Sequence, residues 1–383
     1  MNACLHPALP VRPSLVSSSL DPTRSLIIGV VGPGQVGQAL LDQVRAAQGP
    51  LRQRRGLDLR LAAVANRRQL WLDCDDPALN RQPGPTKIWR PHDWSSFVSH
   101  VRASGSPAVV VDCSACDTLP DHYAAWLASG VHVVTPNKRA GSGSRERREA
   151  IHAAARRGGG QFRYEATVGA GLPVIQTLRD LRDTGDELHG IDGLLSGTLA
   201  WLCHQHRGDL PFSDLVRHAH ALGYTEPDPR DDLSGQDVAR KLVILAREAG
   251  WDMSLEDVDV ESLVPEALTH VPLSEFLERL NELDEGMAQA LQAAHREQSV
   301  LRHVASLDRS SRACVRLKAV PLTDALAHGR HTDNVIQFRT RRYADTPLVI
   351  QGPGAGPEVT AAGIFADLLR LREVSPSKPG WIG

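Results

Sequence analysis

A glycine-rich segment near the start of the chain constrains the fold more than any other feature. Gly32, Gly34 and Gly37 stand in the sequence GPGQVG, after an apolar run at 26–31 and at the start of an amphipathic pattern at 35–48. A buried strand that leads through glycines into a helix lets a pyrophosphate approach the first backbone amides of that helix, where the helix dipole is positive. The alternative is a tight turn without a ligand. The context favours a dinucleotide site.

The pattern that follows the glycines is typical of an α/β domain. Apolar runs at 59–65, 108–112 and 131–134 alternate with helical patterns. Runs without polar interruption are typical of strands that are covered on both faces of a parallel sheet. We therefore predict a Rossmann-type doubly wound parallel sheet for residues 25–166, with helices on both faces.

The regular alternation ends near Gly169, where longer helices and polar loops replace it. Apolar runs at 312–320 and 334–339 predict strands of a second, α+β domain that spans 167–351. A later glycine-rich turn is expected to return residues 352–383 to the first domain. A chain of 383 residues is long enough to form two cores.

The composition points to small-molecule chemistry. A net charge of -2 gives no global electrostatic reason to bind nucleic acid or an anionic membrane. No apolar stretch approaches the roughly 18 residues of a membrane span, and residues 1–24 lack the pattern of a secretory signal. We expect residues 1–24 to form a disordered extension and the protein to be cytoplasmic. Six scattered cysteines fit reduced thiols, and the close pair of Cys113 and Cys116 lacks the further ligands that zinc requires.

The end of the second predicted strand bears on the choice of cofactor. An NAD site usually places a carboxylate there to bind the ribose hydroxyls. This chain has Asn66, Arg67 and Arg68 at that position, after an insert-like stretch at 49–55. The forked guanidinium of Arg67 suits a 2′-phosphate, so NADP(H) is favoured and NAD stays possible. The alternative is that both arginines are solvated surface charges.

The segment 223–241 is the most informative part of the chain. Pro227 and Pro229 predict a stiff, extended loop that holds its carboxylates in fixed positions. Fixed anions of this kind could bind the ammonium group of an amino acid. The carboxylates are those of Glu226, Asp228, Asp231 and Asp232.

Two lysines are candidates for proton transfer. Lys241 lies four residues after Asp237 on a helix predicted from about Ser234, so the two share one helix face. Such pairs are usually no more than surface helix stabilisers. Lys138 directly follows a predicted parallel strand, at the sheet edge that lines the ligand crevice. A buried lysine can protonate a developing alkoxide at neutral pH because desolvation lowers its pKa.

Two segments of small residues could complete a site. Residues 165–173 predict a glycine-rich hinge that carries one carboxylate, Glu165, or else a plain turn between domains. Residues 195–198 predict a tight turn whose backbone amides could bind a carboxylate.

Together these segments resemble homoserine dehydrogenases over residues 25–371. The resemblance rests on five stretches in order, which are TPNK at 135–138, the hinge at 165–173, SGT at 196–198, the acidic segment at 223–241, and the turn at 352–363 with its VTAAG ending. The chain is similar to the dehydrogenase half of bifunctional aspartokinase–homoserine dehydrogenases. Because neither a kinase domain nor a regulatory domain is recognisable, feedback by threonine through such a domain is not expected.

The resemblance implies an oxidoreductase that interconverts L-homoserine and L-aspartate 4-semialdehyde in threonine and methionine biosynthesis, with a second domain that binds the substrate and forms a homodimer. It implies that Asp237 and Lys241 are the catalytic pair and that Lys138 stands between the nicotinamide and the substrate. The implied substrate ligands are Glu226, Asp232, Tyr224, Thr198 and Gly197. The cofactor residues are the predicted Gly32, Gly34, Gly37 and Arg67, with Val36, Ser114, Lys138 and Gly356 implied by the resemblance. Glu165 and the backbone oxygens of Val168, Ala170 and Leu172 are implied to hold a monovalent cation such as sodium.

Two other functions remain open. A non-catalytic nucleotide sensor or scaffold could keep the fold, although it has no need of two lysines and four carboxylates at one crevice. A dehydrogenase of another amino-acid semialdehyde, or of a 3-hydroxy acid, could use the same chemical groups. Oxidation assays with homoserine and with other hydroxy amino acids separate the three.

Overall fold

The computed structural model describes residues 24–72, 93–310 and 312–371, which form two six-stranded sheets. The first sheet contains β1 (Arg24–Val31), β2 (Leu57–Ala65), β3 (Leu70–Leu72), β4 (Ala108–Asp112), β5 (His132–Val134) and β6 (Phe162–Arg163). Its order is β3-β2-β1-β4-β5-β6, and all neighbours are parallel except β2 and β3 at the edge. The predicted doubly wound parallel sheet is confirmed, and its strand order reverses beside β1.

Strand β1 shows why the apolar runs are uninterrupted. Ile27 and Val31 pack into one apolar cluster, while Ile28 and Val30 pack into a second cluster. All four side chains are buried, because successive residues of a strand face opposite sides of the sheet and both sides are covered. The helices in this part of the chain are α1 (Gln35–Arg55), α2 (Trp94–Arg102), α3 (Tyr123–Ala128), α4 (Arg139–Ser142) and α5 (Arg145–Gly158).

Helix α1 is longer than its sequence pattern predicts. Residues 49–55, which look like an insert, continue the helix through Pro50 to Arg55. Leu51 is buried in the apolar cluster, and basic side chains in the last turn lie at the negative end of the helix dipole. These contributions offset the backbone hydrogen bond that a proline removes from a helix interior.

The second sheet contains β7 (Leu188–Leu194), β8 (Val258–Val260), β9 (Ser299–Asp308), β10 (Ala313–Pro321), β11 (Asp333–Thr340) and β12 (Leu348–Pro353). Its order is β12-β11-β7-β9-β10-β8, with antiparallel neighbours except β10 and β8. The strands predicted at 312–320 and 334–339 are confirmed as β10 and β11. The helices are α6 (Val174–Asp183), α7 (Gly197–Gln205), α8 (Phe212–Ala221), α9 (Pro229–Leu233), α10 (Gln236–Glu248), α11 (Leu273–Glu278), α12 (Asp284–Arg296) and α13 (Pro357–Leu369).

The last helix returns to the first sheet. Ile364 of α13 shares an apolar cluster with Leu40 of α1. Gln43 Nε2 on α1 donates to the carbonyl oxygen of Glu358 on α13 at 2.9 Å and to the Glu358 carboxylate at 3.0 Å. Helix α13 therefore lies beside the helix that follows the glycine-rich loop.

Residues 1–23 and 372–383 lie outside the described residues, and with them nearly all of the predicted N-terminal extension. No helix within the described part of the chain is long and apolar enough to cross a membrane.

Candidate active site

The glycine-rich loop between β1 and α1 leaves no space for larger residues at two positions. Gly32 has φ +82, and a Cβ there would lie 2.9 Å from the backbone nitrogen of Ser114. A Cβ at Gly37 would lie 2.4 Å from the carbonyl oxygen of Gly32. A Cβ at Gly34, the N-cap of α1, would instead point into open space. The loop is thus packed against backbone atoms at Gly32 and Gly37, and it is open at Gly34. On this open side the first amides of α1 can bind an anion.

The ends of three parallel strands meet at this loop. The amide of Gly32 donates to the carbonyl oxygen of Ala65 at 2.8 Å, which joins the loop to the end of β2. Arg67 and Arg68 follow directly and are exposed. Asn66 Oδ1 accepts the backbone amide of Arg68 at 2.8 Å and so shapes the turn that carries both arginines. No carboxylate lies in the sequence between β2 and β3, so this turn can receive a 2′-phosphate.

Sequence reasoning missed the residue that organises the neighbouring loops, Asp112 at the end of β4. Its carboxylate is fully buried and accepts the amide of Ser114 at 2.7 Å, the Tyr123 hydroxyl, and Asn137 Nδ2 at 3.1 Å. Burial raises the pKa of Asp112, while these donors oppose the shift. The network fixes the loop after β4 to the loop after β5, and the second loop carries Lys138. An aspartate that ends an apolar strand was the available signal.

Asp237 forms ion pairs with two lysines from different parts of the fold. Lys138 Nζ lies 3.0 Å from Asp237 Oδ1, and Lys241 Nζ lies 3.0 Å from Asp237 Oδ2. Lys241 Nζ also donates to the carbonyl oxygen of Leu195 at 2.7 Å. The Lys241 side chain is only 12% exposed, whereas that of Lys138 is 32% exposed. The i,i+4 pair of α10 is therefore part of a three-residue cluster rather than a surface helix pair.

Burial and charge act on the cluster in opposite directions. Burial lowers the pKa of Lys241, Asp237 opposes that shift, and the neighbouring Lys138 adds to it. For Asp237, burial favours the protonated form, but attraction to Lys241 and Lys138 holds its pKa well below the usual range. Asp237 is therefore ionised at neutral pH, and Lys241 releases its proton more readily than an exposed lysine.

An acidic pocket adjoins the lysine cluster. The amide of Glu226 donates to Asp232 Oδ2 at 2.7 Å, and Thr198 Oγ1 donates to the carbonyl oxygen of Tyr224 at 2.7 Å. Burial raises the pKa of Asp232, and the charges of Glu226 and Asp237 add to that shift. These carboxylates repel each other in the absence of a cation. A bound ammonium group would relieve the repulsion.

The prediction of an extended loop at 226–232 is wrong in part. Pro229 occupies the first turn of helix α9, where a proline is favourable, and Asp228 is its N-cap. Asp228 forms an ion pair with Arg230 at 2.7 Å instead of joining Asp232. Asp231 lies on α9 and is exposed. Of the four predicted carboxylates, the pocket beside Asp237 therefore gathers Glu226 and Asp232.

The tight turn predicted at 195–198 is the first turn of α7. Ser196 is its N-cap, and its hydroxyl accepts the backbone amide of Leu199 at 3.2 Å. Gly197 and Thr198 supply the next amides, and a Cβ at Gly197 would lie 3.2 Å from the carbonyl oxygen of Thr332. The start of this helix can bind a carboxylate for the same dipole reason that applies to α1.

A second residue that sequence reasoning missed lies below the glycine-rich turn before α13. Asn334 on β11 has no exposed surface, and its carboxamide lacks a hydrogen-bond partner among the described residues. A Cβ at Gly354 would lie 2.0 Å from Asn334 Cγ. Gly356, at the end of the turn, has φ +121 and is the N-cap of α13. The carboxamide therefore limits how closely the turn can approach β11. No local sequence pattern predicted this contact.

The hinge at 165–173 contains a buried carboxylate. Glu165 accepts the amides of Ile175 at 2.7 Å and Gln176 at 3.0 Å, at the start of α6. Burial and the nearby Asp367 raise the pKa of Glu165 to about 7, while these amides and Arg370 oppose the shift. The backbone carbonyls of Val168, Ala170 and Leu172 belong to the turn that follows. No group of three His, Cys, Asp or Glu side chains in the described ranges could hold a metal ion, so a cation here would need those backbone oxygens.

The fold and this cluster define a class of protein. A glycine-rich helix start at the switch point of a parallel sheet, beside two lysines on one carboxylate, is the arrangement of a nicotinamide-dependent oxidoreductase. The family model described as the NAD binding domain of homoserine dehydrogenase matches residues 32–165, and the model described as homoserine dehydrogenase matches 173–369. The chain belongs to the homoserine dehydrogenase family.

Similar proteins agree with this assignment. The chain is 38% identical over 371 residues to the homoserine dehydrogenase of Emericella nidulans, with 91% of this chain and 98% of that protein covered. It is 42% identical over 354 residues to bifunctional aspartokinase/homoserine dehydrogenase 1 of Zea mays, with 91% of this chain covered, but it spans only 38% of that protein. The crystal structure of a Candida auris protein of unknown function superposes with a TM-score of 0.81 at 34% identity, covering 91% of this chain and 97% of the other.

Proposed function

We propose that this chain is an NADP(H)-dependent homoserine dehydrogenase that interconverts L-homoserine and L-aspartate 4-semialdehyde. The observation that carries the proposal is the cluster in which Lys138 and Lys241 share the carboxylate of Asp237, next to an acidic pocket. The lysine cluster can transfer a proton to an oxygen, and the acidic pocket can bind an ammonium group. An amino acid with a side-chain hydroxyl brings both groups.

Lys241 moves the proton. Its ammonium group has three N–H donors, of which Leu195 O and Asp237 Oδ2 accept two, so that one remains for the substrate oxygen. When bound, the nicotinamide supplies or receives the hydride. In reduction, Lys241 donates its proton to the developing alkoxide. In oxidation, neutral Lys241 takes the hydroxyl proton, which its lowered pKa favours. Lys138 contacts the nicotinamide and the substrate and holds Asp237 from the other side.

Glu226 and Asp232 bind the α-ammonium group of the substrate. The support is the raised pKa of Asp232, which a cation would lower. Tyr224, Thr198 and Gly197 complete the site, with the first amides of α7 directed at the α-carboxylate. Because both ends of the amino acid are bound, its side-chain oxygen is directed toward Lys241.

The glycine-rich loop, Arg67 and the turn before α13 hold the cofactor. Gly32, Gly34, Val36 and Gly37 would bind the pyrophosphate. Ser114 would contact the nicotinamide part of the cofactor, and Gly356 would contact the cofactor from the turn before α13. Arg67 binds the 2′-phosphate, so NADPH is preferred to NADH, although NAD remains usable. The support is the exposed arginine turn at the end of β2, with Asn66 in place of the usual carboxylate.

The proposal extends to further properties that the family resemblance implies. The reaction serves threonine and methionine biosynthesis, the enzyme is a cytoplasmic homodimer, and a monovalent cation such as sodium binds Glu165 with the carbonyl oxygens of Val168, Ala170 and Leu172. The buried carboxylate of Glu165, beside a second one at Asp367, supports the cation, because hard cations prefer oxygen ligands. Its role is structural.

The proposal is tested by nicotinamide absorbance. The purified protein is given NADP with L-homoserine, then with other hydroxy amino acids and 3-hydroxy acids. We expect L-homoserine to be the best substrate and Lys241→Ala to slow its oxidation by roughly 10²- to 10⁴-fold. A better 3-hydroxy acid would assign a different dehydrogenase activity, and binding of NADPH without turnover of any substrate would favour a nucleotide sensor.

A further inference from the structure

A cavity of about 850 Å³ lies between helices α5 and α6, and none of the residues proposed for the active site lines it. Arg148, His152 and Arg156 stand on one face of α5, at four-residue intervals. Arg179 and Arg182 face them from α6. Two helices therefore present arginines to the same solvent-open groove.

The charges of this cavity are unbalanced. Its lining contains five arginines, which are Arg148, Arg156, Arg163, Arg179 and Arg182, and two glutamates, which are Glu149 and Glu248. Asp183, outside the lining, forms an ion pair with Arg182 at 3.3 Å, so five arginines meet three carboxylates. Glu248 is already engaged, because it accepts Arg179 Nε at 2.7 Å and the Tyr164 hydroxyl. Like charges across one groove repel each other, and solvent screens part of that repulsion. The excess positive charge therefore destabilises the fold unless a bound anion compensates it.

Several guanidinium groups keep donors for a ligand. Arg148 Nη2 donates to the carbonyl oxygen of Arg247 at 2.8 Å, and Arg182 Nη1 donates to that of Glu248 at 2.7 Å. Each guanidinium has five N–H donors, so Arg148 keeps most of its own. Arg182 also binds Asp183 through Nε and Nη2, and Arg179 binds Glu248 through Nε and Nη2, which leaves Nη1 of Arg179 without a described partner. Arg156 is exposed and has no carboxylate partner among the residues that the structure describes. The free donors come from both helices.

The pKa of His152 reflects the charges of the arginines around it. Burial lowers its pKa to about 4, and Arg148, Arg179 and Arg156 add to the shift while Glu248 opposes it. Three guanidinium charges from two helices thus act on one imidazole, which is neutral at neutral pH. The positive charge of the cavity therefore comes from the arginines alone.

We propose that this cavity binds a small anion with more than one negative charge, of the phosphate or polycarboxylate class. Paired guanidinium groups match such oxygens with two hydrogen bonds each. The volume is within the range of small-molecule sites. A singly charged anion would leave part of the positive charge uncompensated.

The anion would join two parts of the fold. Helix α5 lies between β5 and β6 of the first sheet along the chain, whereas α6 and α10 belong to the second part of the chain. Glu248, which holds Arg179, ends the same helix that carries Asp237 and Lys241 near its start. Binding of the anion should therefore stabilise the junction between the two sheets and leave the chemistry of the lysine cluster in place.

Thermal unfolding of the full chain tests this directly. Citrate and inorganic phosphate are titrated separately, with potassium chloride adjusted to keep the ionic strength constant, and both titrations are repeated with saturating NADPH to exclude binding at the glycine-rich loop. We expect a saturable rise in the unfolding temperature of at least about 2 °C. The measurement does not require activity, so it stands or falls separately from the proposed reaction.

Two variants give the comparison. Arg156→Gln removes an exposed side chain that makes no described hydrogen bond, so the protein should fold, and we expect at least half of the temperature rise to disappear. Arg157→Gln removes the next arginine of α5, which does not line the cavity, and should leave the rise unchanged. The proposal is overturned by a response that does not saturate, or by equal responses in the two variants.

Discussion

Lys138 and Lys241 bind the two oxygens of one carboxylate, that of Asp237, each at 3.0 Å. Lys138 follows β5 of the first sheet, whereas Lys241 lies on α10 beside the second sheet. The proton affinity of Lys241 therefore depends on contacts that join the two halves of the fold. The predictions below concern this cluster and the loops around it.

Lys241→Ala should reduce kcat for homoserine oxidation by roughly 10²- to 10⁴-fold, the usual contribution of a positioned acid or base. The dissociation constant of NADPH should change little, because Lys241 contacts Asp237 and Leu195 rather than the glycine-rich loop. Stopped-flow turnover and fluorescence titration of NADPH measure the two quantities. Lys241→Arg serves as the control that keeps the charge, and normal turnover in either folded variant would refute the assignment.

The pH dependence should move in opposite directions in two variants. Oxidation needs neutral Lys241, so its rate rises with pH through the pKa of that lysine. Asp237 raises this pKa and Lys138 lowers it. Asp237→Asn should therefore move the rising limb of kcat/KM to lower pH, and Lys138→Gln should move it to higher pH, each with a lower maximum. Limbs that move together would contradict the electrostatic account.

Arg67→Ala should weaken NADPH binding by about 10- to 100-fold, because a charged hydrogen-bonding partner of the 2′-phosphate is lost. NADH binding should change less than about threefold on the same basis. Arg68→Ala, in the same exposed turn, is the matched control. Equal losses for the two cofactors in Arg67→Ala would show that this residue does not bind the phosphate.

The turn before α13 can be tested by a double-mutant cycle. Gly354→Ala places a methyl group 2.0 Å from Asn334 Cγ, so the turn must move away from β11. The KM for NADPH should therefore increase severalfold. Asn334→Ala removes the opposing carboxamide. The double variant should recover much of the lost affinity, because the two residues are in direct contact. Additive losses of NADPH affinity would mean that Asn334 does not limit the approach of the turn to β11.

Replacement of sodium by tetramethylammonium at constant ionic strength should lower the unfolding temperature of the wild type. Glu165→Gln keeps one acceptor oxygen, for the amide of either Ile175 or Gln176, but loses the charge, so the sodium effect should vanish. Asp180→Asn, an exposed carboxylate on α6, is the control. A sodium effect that persists in Glu165→Gln would remove this residue from the cation site.

Local patterns predicted the parts of the molecule that depend on local physics. The parallel sheet was predictable because strands that are covered on both faces must be apolar throughout, as β1 is. Asp237 and Lys241 were predictable as neighbours because residues four apart share a helix face. The prolines at 227 and 229 misled, since Pro229 is equally suited to the first turn of a helix.

Contacts between distant residues could not be predicted in this way. Asp112 binds Asn137 across 25 residues, and Gly354 meets Asn334 because β11 and β12 pair. The approach of Lys138 to Asp237 likewise depends on how the two sheets pack, which no periodicity encodes. The position of Lys138 after a predicted parallel strand made it a candidate, and the structure supplies its contact with Asp237.

The most direct test of the central claim compares L-homoserine with 4-hydroxybutyrate, which has the same reacting hydroxyl and carboxylate but no ammonium group. If Glu226 and Asp232 bind that ammonium group while Lys241 moves the proton, kcat/KM with NADP should be at least about 1,000-fold higher for L-homoserine. Similar values for the two substrates would contradict the account, because the acidic pocket would then play no part in recognition.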